Sequence, residues 1–286
     1  MKTLHLAVTA ALALAAGGCN APTANVASAF ADAVVPSAHA STIVHASIQP
    51  APAIAPAIEV DPVPAQLASL RAIAPKADPG VLALALEARQ CAVMHGDVES
   101  DARLAVIDYS RPSTERRLWV FDMADTATPK LLFNEYVAHG QGSGGNVPTR
   151  FSNEDGTHAT SLGLFVTAET YQGSNGYSMR MDGKDPGFND NARSRAIVMH
   201  GAAYVNPANF ASLGRNGRSW GCPALRQAVA HDVIDVLKGG NLLFSYADND
   251  PFLQKGRSFA CDGRDARQIL ASARRPANDN LVAAAP

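Results

Sequence analysis

The chain has 286 residues, a formal net charge of -2 and 17% charged residues, a balance that excludes the strongly basic face a nucleic-acid partner requires. Its 47% hydrophobic content supports a real core, and the length admits one large domain or two small ones.

The opening MKTLHLAVTAALALAAGGC joins a basic start at Lys2 to an apolar run from Leu6 to Ala16 and small residues before Cys19. Residues 1–19 read as a secretory signal, too short and too quickly ended to span a membrane. Ala16-Gly17-Gly18-Cys19 has the form of a lipoprotein cleavage box, although Ala16 stands where a larger aliphatic residue is usual. Lipidation of Cys19 with membrane anchoring and ordinary signal cleavage both stay open; either route leads to the cell envelope, and to the periplasm in particular. Residues 20–64 are dominated by Ala, Pro, Ser and Val with almost no charge and no sustained period, so they have too little to bury to offset the entropy of ordering them. They form an extended tether or a trimmed pro-region.

Order is expected to begin near Gln66, with one domain over 65–270. LASLRAI and DPGVLALALEARQCAVMHG read as two helices, the second capped by Asp78 with Pro79 at its first position and a broad apolar face from Val81 to Leu86. The period then changes to two. RLAVIDYS, RLWVFDMA, KLLFNEYVAHG, LGLFVTAETY, YSMRMDG and AIVMHG are β-rich runs separated by Gly, Asn, Asp and Pro. LRQAVAHDVIDVLK (225–238) reads as a helix stopped by Gly239-Gly240, NLLFSYA as a last strand, and 271–286 as a mobile tail. GQGSGGN (140–146) lacks the lysine and following helix of a phosphate cradle and reads as a mobile loop. The fold class is therefore mostly β with peripheral helices. Cys91 and Cys261 either pair in an oxidising compartment or stay separate thiols, because spacing alone gives no distance.

The chemistry concentrates in AIVMHGAAYVNPANFASLGRNGRSWGCPALR (196–226). His200 ends a strand, and Cys222 returns between Gly221 and Pro223 without the apolar neighbours of a core thiol. A thiol attacks a carbonyl best as thiolate, and an adjacent imidazole is the commonest way to obtain one. Gly221 permits close approach, so the Gly221 and Cys222 amides are candidates for an oxyanion hole. An inert thiol and a satisfied core histidine are the alternative. His139 also ends a β-run and either faces the same cleft or is a loop histidine without a part in it. A zinc site from His139, His200 and Cys222 is disfavoured, since the three lack the close paired spacing of usual ligands, and no metal is expected.

His200-Gly201 followed by Ser219-x-Gly221-Cys222, with SLGLF, YQGSNGYSMRMDG, NDNARSRAIVMHGAAYV and GRSWGCPAL in order, resembles the L,D-transpeptidase catalytic domain (YkuD-like) family, in its murein L,D-transpeptidase branch. The resemblance covers roughly residues 100–248. It implies a β-sandwich or barrel-like catalytic fold with no metal and no organic cofactor. It implies peptidoglycan stem peptides as the partner; no obligate protein partner is inferred from the sequence. The implied mechanism has Cys222 attacking the amide after the third stem residue, at the L-centre of a diamino acid such as meso-diaminopimelate, while D-Ala leaves. An amine of a neighbouring stem then resolves the thioester. His200 would be the general base and the Gly201 carbonyl would orient its ring. Water in place of the amine would make the chain an L,D-carboxypeptidase or endopeptidase, and a spent site would leave a peptidoglycan-binding envelope protein. Many members carry a histidine where Trp220 stands and a basic residue where Ala224 and Leu225 stand. Arg226, Arg218 or Arg195 could replace that cation or be solvated surface residues. Ser219 and Trp220 would line the substrate groove, with packing on the core the preferred role for Trp220.

Overall fold

The computed structural model describes residues 63–98, 100–259, 261 and 263–275. The expected signal segment 1–19, the tether up to residue 62 and the tail beyond residue 275 lie outside them. No helix among the described residues is long and apolar enough to cross a membrane.

Among the described residues, nine strands make one sheet. They are β1 (Arg103–Asp108), β2 (Leu118–Asp122), β3 (Lys130–Glu135), β4 (Val137–Ala138), β5 (Gly163–Gly173), β6 (Gly176–Gly183), β7 (Val198–Ala202), β8 (Ala224–Arg226) and β9 (Leu242–Tyr246). Their spatial order is β3-β2-β1-β9-β5-β6-β7-β8-β4. The neighbours β1 and β9 run parallel, as do β7 and β8, and the other pairs are antiparallel. Strands β1 and β9 are buried from Leu104 to Asp108 and from Leu242 to Tyr246, so both faces of β1 are covered and the period of two expected for RLAVIDYS does not appear in its burial.

The run KLLFNEYVAHG is not one strand. It breaks at Tyr136 into β3 and β4, which lie at opposite ends of the strand order, so the two edges of the sheet meet through a single residue. Glu135, the last residue of β3, also receives two hydrogen bonds from the Arg226 guanidinium of β8, at 2.7 and 3.0 Å. The sheet is a nearly closed barrel, and closure removes the open edges that would otherwise template pairing with another chain.

The helices are α1 (Val63–Ile73), α2 (Pro79–Met94), α3 (Phe210–Leu213), α4 (Gln227–Leu237), α5 (Asp250–Lys255) and α6 (Ala266–Arg274). The first described helix starts at Val63, three residues before Gln66. Asp78 caps α2 by accepting from the amides of Gly80 (2.8 Å) and Val81 (3.1 Å), and Pro79 fills the first turn, where a missing N–H leaves nothing unpaired. From Gly80 to Ala88 every residue of α2 is buried, because α1, α6, β1 and β9 all pack on it. Helix α4 packs on β7 and β8 through one face, with Val233, Ile234 and Leu237 buried.

The chain stays helical past residue 271. Helix α6 runs to Arg274, held by a reciprocal capping box between Asp265 and Gln268, by the burial of Ile269 and Leu270, and by Arg274 bonding Asp78 at 3.0 and 3.1 Å. Cys91 of α2 and Cys261 form a disulfide with Cα atoms 5.5 Å apart, closing a loop of 170 residues in sequence separation. Glu87, fully buried one turn before Cys91, is answered by Arg264 at 3.1 Å. A Cys91→Ala, Cys261→Ala double variant is expected to lose about 2–5 kcal/mol of stability, toward the upper end because the closed loop is long. Thermal unfolding should show this as a fall in Tm of roughly 4–20 °C. An unchanged Tm would mean that the crosslink does not constrain the unfolded chain.

Candidate active site

Strand register brings His200 and Cys222 together. In the parallel pair β7–β8, His200 lies opposite Ala224, so Cys222 arrives two residues earlier beside Val198. Two residues along a strand and one strand across place the two Cα atoms on the order of 8 Å apart, within the combined reach of a cysteine and a histidine side chain. The Val198 amide points at the thiol, 3.4 Å from Sγ, and the thiol points at the Ala196 carbonyl at 3.7 Å. Both side chains line one cavity of about 450 Å³, walled also by Arg195, Tyr204, Arg218 and Trp220.

His200 is buried, and its Nδ1 lies 3.0 Å from the Gly201 carbonyl oxygen. A carbonyl can only accept, so Nδ1 carries the proton in the neutral ring and Nε2 is left as the ring's acceptor. Burial pulls the imidazole below its ordinary pKa, and the Gly201 carbonyl works against that shift. Burial likewise pushes the Cys222 thiol up, opposed by the Val198 amide, Arg195 and the cysteine's own amide. Both shifts favour the neutral forms, a thiol and an uncharged imidazole lining one cavity.

The glycines explain themselves by contact. A Cβ on Gly201 would stand 3.0 Å from the Ala230 methyl of α4. Gly221 has φ +115°, and a Cβ there would meet Ile197 Cδ1 at 2.8 Å and the Ala159 carbonyl at 2.9 Å. The Gly221 amide does not face the cavity as the sequence suggests: it donates to Ser219 Oγ at 3.2 Å, and that hydroxyl donates to the Cys222 carbonyl at 2.6 Å. Ser219, which also lines the cavity, thus commits its hydroxyl proton to holding the turn. The turn is fixed from behind as well, because the Ser219 amide donates to the His139 carbonyl at 3.0 Å and the Gln141 amide to the Ser219 carbonyl at 2.8 Å. GQGSGGN is accordingly a pinned segment rather than a loose loop, with Ser143 buried and accepting from the Thr160 amide at 2.9 Å.

The three candidate arginines separate cleanly. Arg226 is committed to Glu135 and does not line the cavity. Arg195 is strapped to the 152–161 segment through the carbonyls of Ser152 (2.8 Å) and Ala159 (2.9 Å) and the Ser161 hydroxyl (2.5 Å). From there its charge still reaches the thiol. Arg218 bonds the Gly144 carbonyl through Nη1 at 2.7 Å, on the cavity wall. Of the three it is the one best placed to meet a carboxylate.

His139 is elsewhere. It is fully buried beneath the turn, outside the cavity lining, with Nδ1 2.8 Å from Arg117 Nη2. Burial first and Arg117 second drive its pKa down to about 3, so it stays neutral. His139 therefore does not share the cavity that His200 and Cys222 line. Among the described residues the one group of His, Cys, Asp or Glu close enough to share an ion is Glu87, Cys91 and Cys261, and both cysteines are spent in the disulfide.

Three side chains were not singled out by the sequence. Arg117 is a fully buried cation pinned by the Val137 carbonyl (Nη2 at 3.0 Å) and the Arg111 carbonyl (2.8 Å), and it lies 4.9 Å over the Tyr109 ring. Burial lowers it to about 10. Nothing in Arg116-Arg117 distinguishes it from a surface pair. Tyr204 lines the cavity, its phenol raised by burial and by Cys222. His158 adopts φ +52° and stacks on Trp220, which is exposed rather than packed on the core.

A buried thiol and an imidazole held by a backbone carbonyl line one cavity beside strands β7 and β8. The family profile described as L,D-transpeptidase catalytic domain (YkuD_2) matches residues 73–246, more than half of the chain, and the chain belongs to that family. Its members act on the stem peptides of peptidoglycan and are generally enzymes of the cell envelope. No curated protein matches the chain. Similar solved structures include a mutant of the helical cell shape determining protein Pgp2 from Campylobacter jejuni, at 10% identity and TM-score 0.38, over 66% of this chain and 61% of that one. Mycobacterium tuberculosis L,D-transpeptidase 1 is similar at 14% identity and TM-score 0.27, over 52% and 63%. An L,D-transpeptidase from Stackebrandtia nassauensis is similar at 12% identity and TM-score 0.30, over 64% and 90%. The chain thus spans about three-fifths of the Campylobacter protein's length.

Proposed function

We propose that the chain is a cysteine L,D-transpeptidase of peptidoglycan, made for the periplasm, with 1–19 as its signal, the residues before α1 as tether and the barrel with its helices as catalytic domain. The observation that carries this is the pairing of a cavity-lining thiol held by the Val198 amide with an imidazole whose Nδ1 is committed to Gly201. Cys222 gives its proton to His200 Nε2 as Sγ adds to the carbonyl of the third stem residue. The Cys222 amide is the donor nearest the developing oxyanion. The C–N bond to D-Ala then breaks, the imidazolium returns the proton to the leaving amine, and a thioester remains. An amine of a second stem adds to the thioester, passing its proton to His200. The sulfur leaves as the new amide forms and takes the proton back. Arg218 meets the carboxylate of the donor stem.

Incubation of the mature protein with a disaccharide-tetrapeptide, followed by chromatography and mass spectrometry, tests the reading. Crosslinked dimer with release of D-Ala is the expected product. Shortened monomer alone would move the assignment to an L,D-carboxypeptidase, in which water replaces the amine. No product would leave a peptidoglycan-binding envelope protein.

A further inference from the structure

Trp220 is 70% exposed, whereas the other tryptophan, Trp119, is 2% exposed in the core. An indole at the rim of a cavity presents a large, flat apolar face to whatever enters it. Here one face is covered from within the chain: the His158 ring stacks on it with centroids 4.7 Å apart and planes inclined by 5°. The His158 ring is itself held, its Nδ1 3.0 Å from the Gln141 side-chain nitrogen, while its carbonyl accepts from the Gly142 amide at 3.0 Å. His158 pays for this place with a left-handed backbone that non-glycine residues seldom adopt, φ +52°. The result is a flat, pre-set aromatic platform, with Asp155, Ser174, Asn175 and Arg218 lining the same cavity.

A flat apolar face ringed by hydroxyl, carboxamide, carboxylate and guanidinium groups suits a ligand with an apolar C–H face and polar equatorial edges. An extended peptide would instead add to a strand edge, but β7 is paired on both sides, with β6 and β8, and offers no edge there. A nucleobase would also stack, but a net charge of -2 and 17% charged residues give no basic stripe to carry a nucleic-acid backbone. We infer that the Trp220–His158 stack seats a pyranose ring of the glycan strand, so that the protein takes its stem peptide with the sugar attached. This rests on the proposed reading of the Cys222 site. The lengths agree: three extended stem residues span about 10 Å, and Trp220, two residues from Cys222, puts its Cα at most about 7 Å from that of the cysteine, with the indole beyond.

The experiment uses the full mature chain with Cys222→Ala, which holds substrate without turnover, and follows tryptophan emission. Trp119 is buried in the core and does not line the cavity, so its emission is a constant background and a ligand-dependent change reports Trp220. Disaccharide-tetrapeptide and a chito-oligosaccharide are each expected to shift the emission saturably, and free tetrapeptide to bind about tenfold more weakly than the sugar-bearing form. In the enzyme with Cys222 intact, Trp220→Ala should lower kcat/KM for disaccharide-tetrapeptide relative to free tetrapeptide by about tenfold, and Trp220→Phe should retain most of the preference. Equal affinity with and without sugar, or a preference unchanged in Trp220→Ala, overturns the platform. Saturable emission changes without turnover of either substrate would overturn the transpeptidase reading while the platform stands.

Discussion

Replacing Cys222 with alanine is expected to lower kcat by at least about four orders of magnitude in a muropeptide crosslinking assay. Among the described residues no other free thiol lines this cavity. Ser219, the nearest hydroxyl in sequence, is tied to the Gly221 amide and the Cys222 carbonyl. Tyr204 is raised further from ionisation by burial. Cys222→Ser is expected to be nearly as inactive, because a hydroxyl is far harder to deprotonate than a thiol and the neutral His200 is a weak base. Stability should barely move, within about 1 kcal/mol, since the side chain lost is small and the hydrogen bond from Val198 to sulfur at 3.4 Å is long. Alanine-variant turnover close to that of the wild type, with an unchanged Tm, would remove Cys222 from the reaction.

Much of this site was legible because its parts are local. A strand ending in His-Gly and a cysteine framed by Gly and Pro are patterns of neighbouring residues, and the conformational demand on Gly221 follows from its own φ of +115°. The α2 cap at Asp78 was legible for the same reason, and so in principle was α6, whose Asp265-x-x-Gln268 is a capping box with Ile269 and Leu270 following. Non-local facts were not. The parallel pairing of β7 with β8, which sets the His200–Cys222 spacing, joins strands separated by residues 203–223, and no periodicity reports such a partner. Tyr136 reads as one more strand residue, although it is where the sheet's two edges meet. Trp220 shows the limit most sharply. Its size favours burial on average, but its neighbours fix the turn that holds it: Ser219 is bonded inward, and Gly221 is pressed against Ile197 and Ala159. That leaves the indole exposed at the rim. The burial of Arg117, with carbonyls and a neutral histidine for partners, depends on three segments converging and has no signature in any one of them.

The pH dependence should distinguish this pair from a preformed thiolate–imidazolium. Burial lowers the His200 pKa below its ordinary 6.5, and the base acts only when neutral, so activity should fall on acidification only below that value. Burial raises the thiol above its ordinary 9.0, so ionisation of the resting cysteine adds no limb between those limits and kcat/KM should be flat across the neutral range. An ion pair predicts the reverse, a thiolate already present at pH 6 to 7. Alkylation by iodoacetamide, located by peptide mapping, separates the two cases. In the resting enzyme the Cys222 rate should be slow at neutral pH and climb toward and beyond pH 9, whereas an ion pair gives a fast rate nearly independent of pH. His200→Ala is expected to lower kcat/KM by about three orders of magnitude and to abolish the acid limb, leaving residual activity that follows thiol ionisation alone and rises with pH. Because Nδ1 is committed to the Gly201 carbonyl, His200→Gln should not restore the loss: an amide can hold the geometry but cannot carry the proton from sulfur to the leaving amine. A His200 variant with a wild-type acid limb would place the titrating base on another residue.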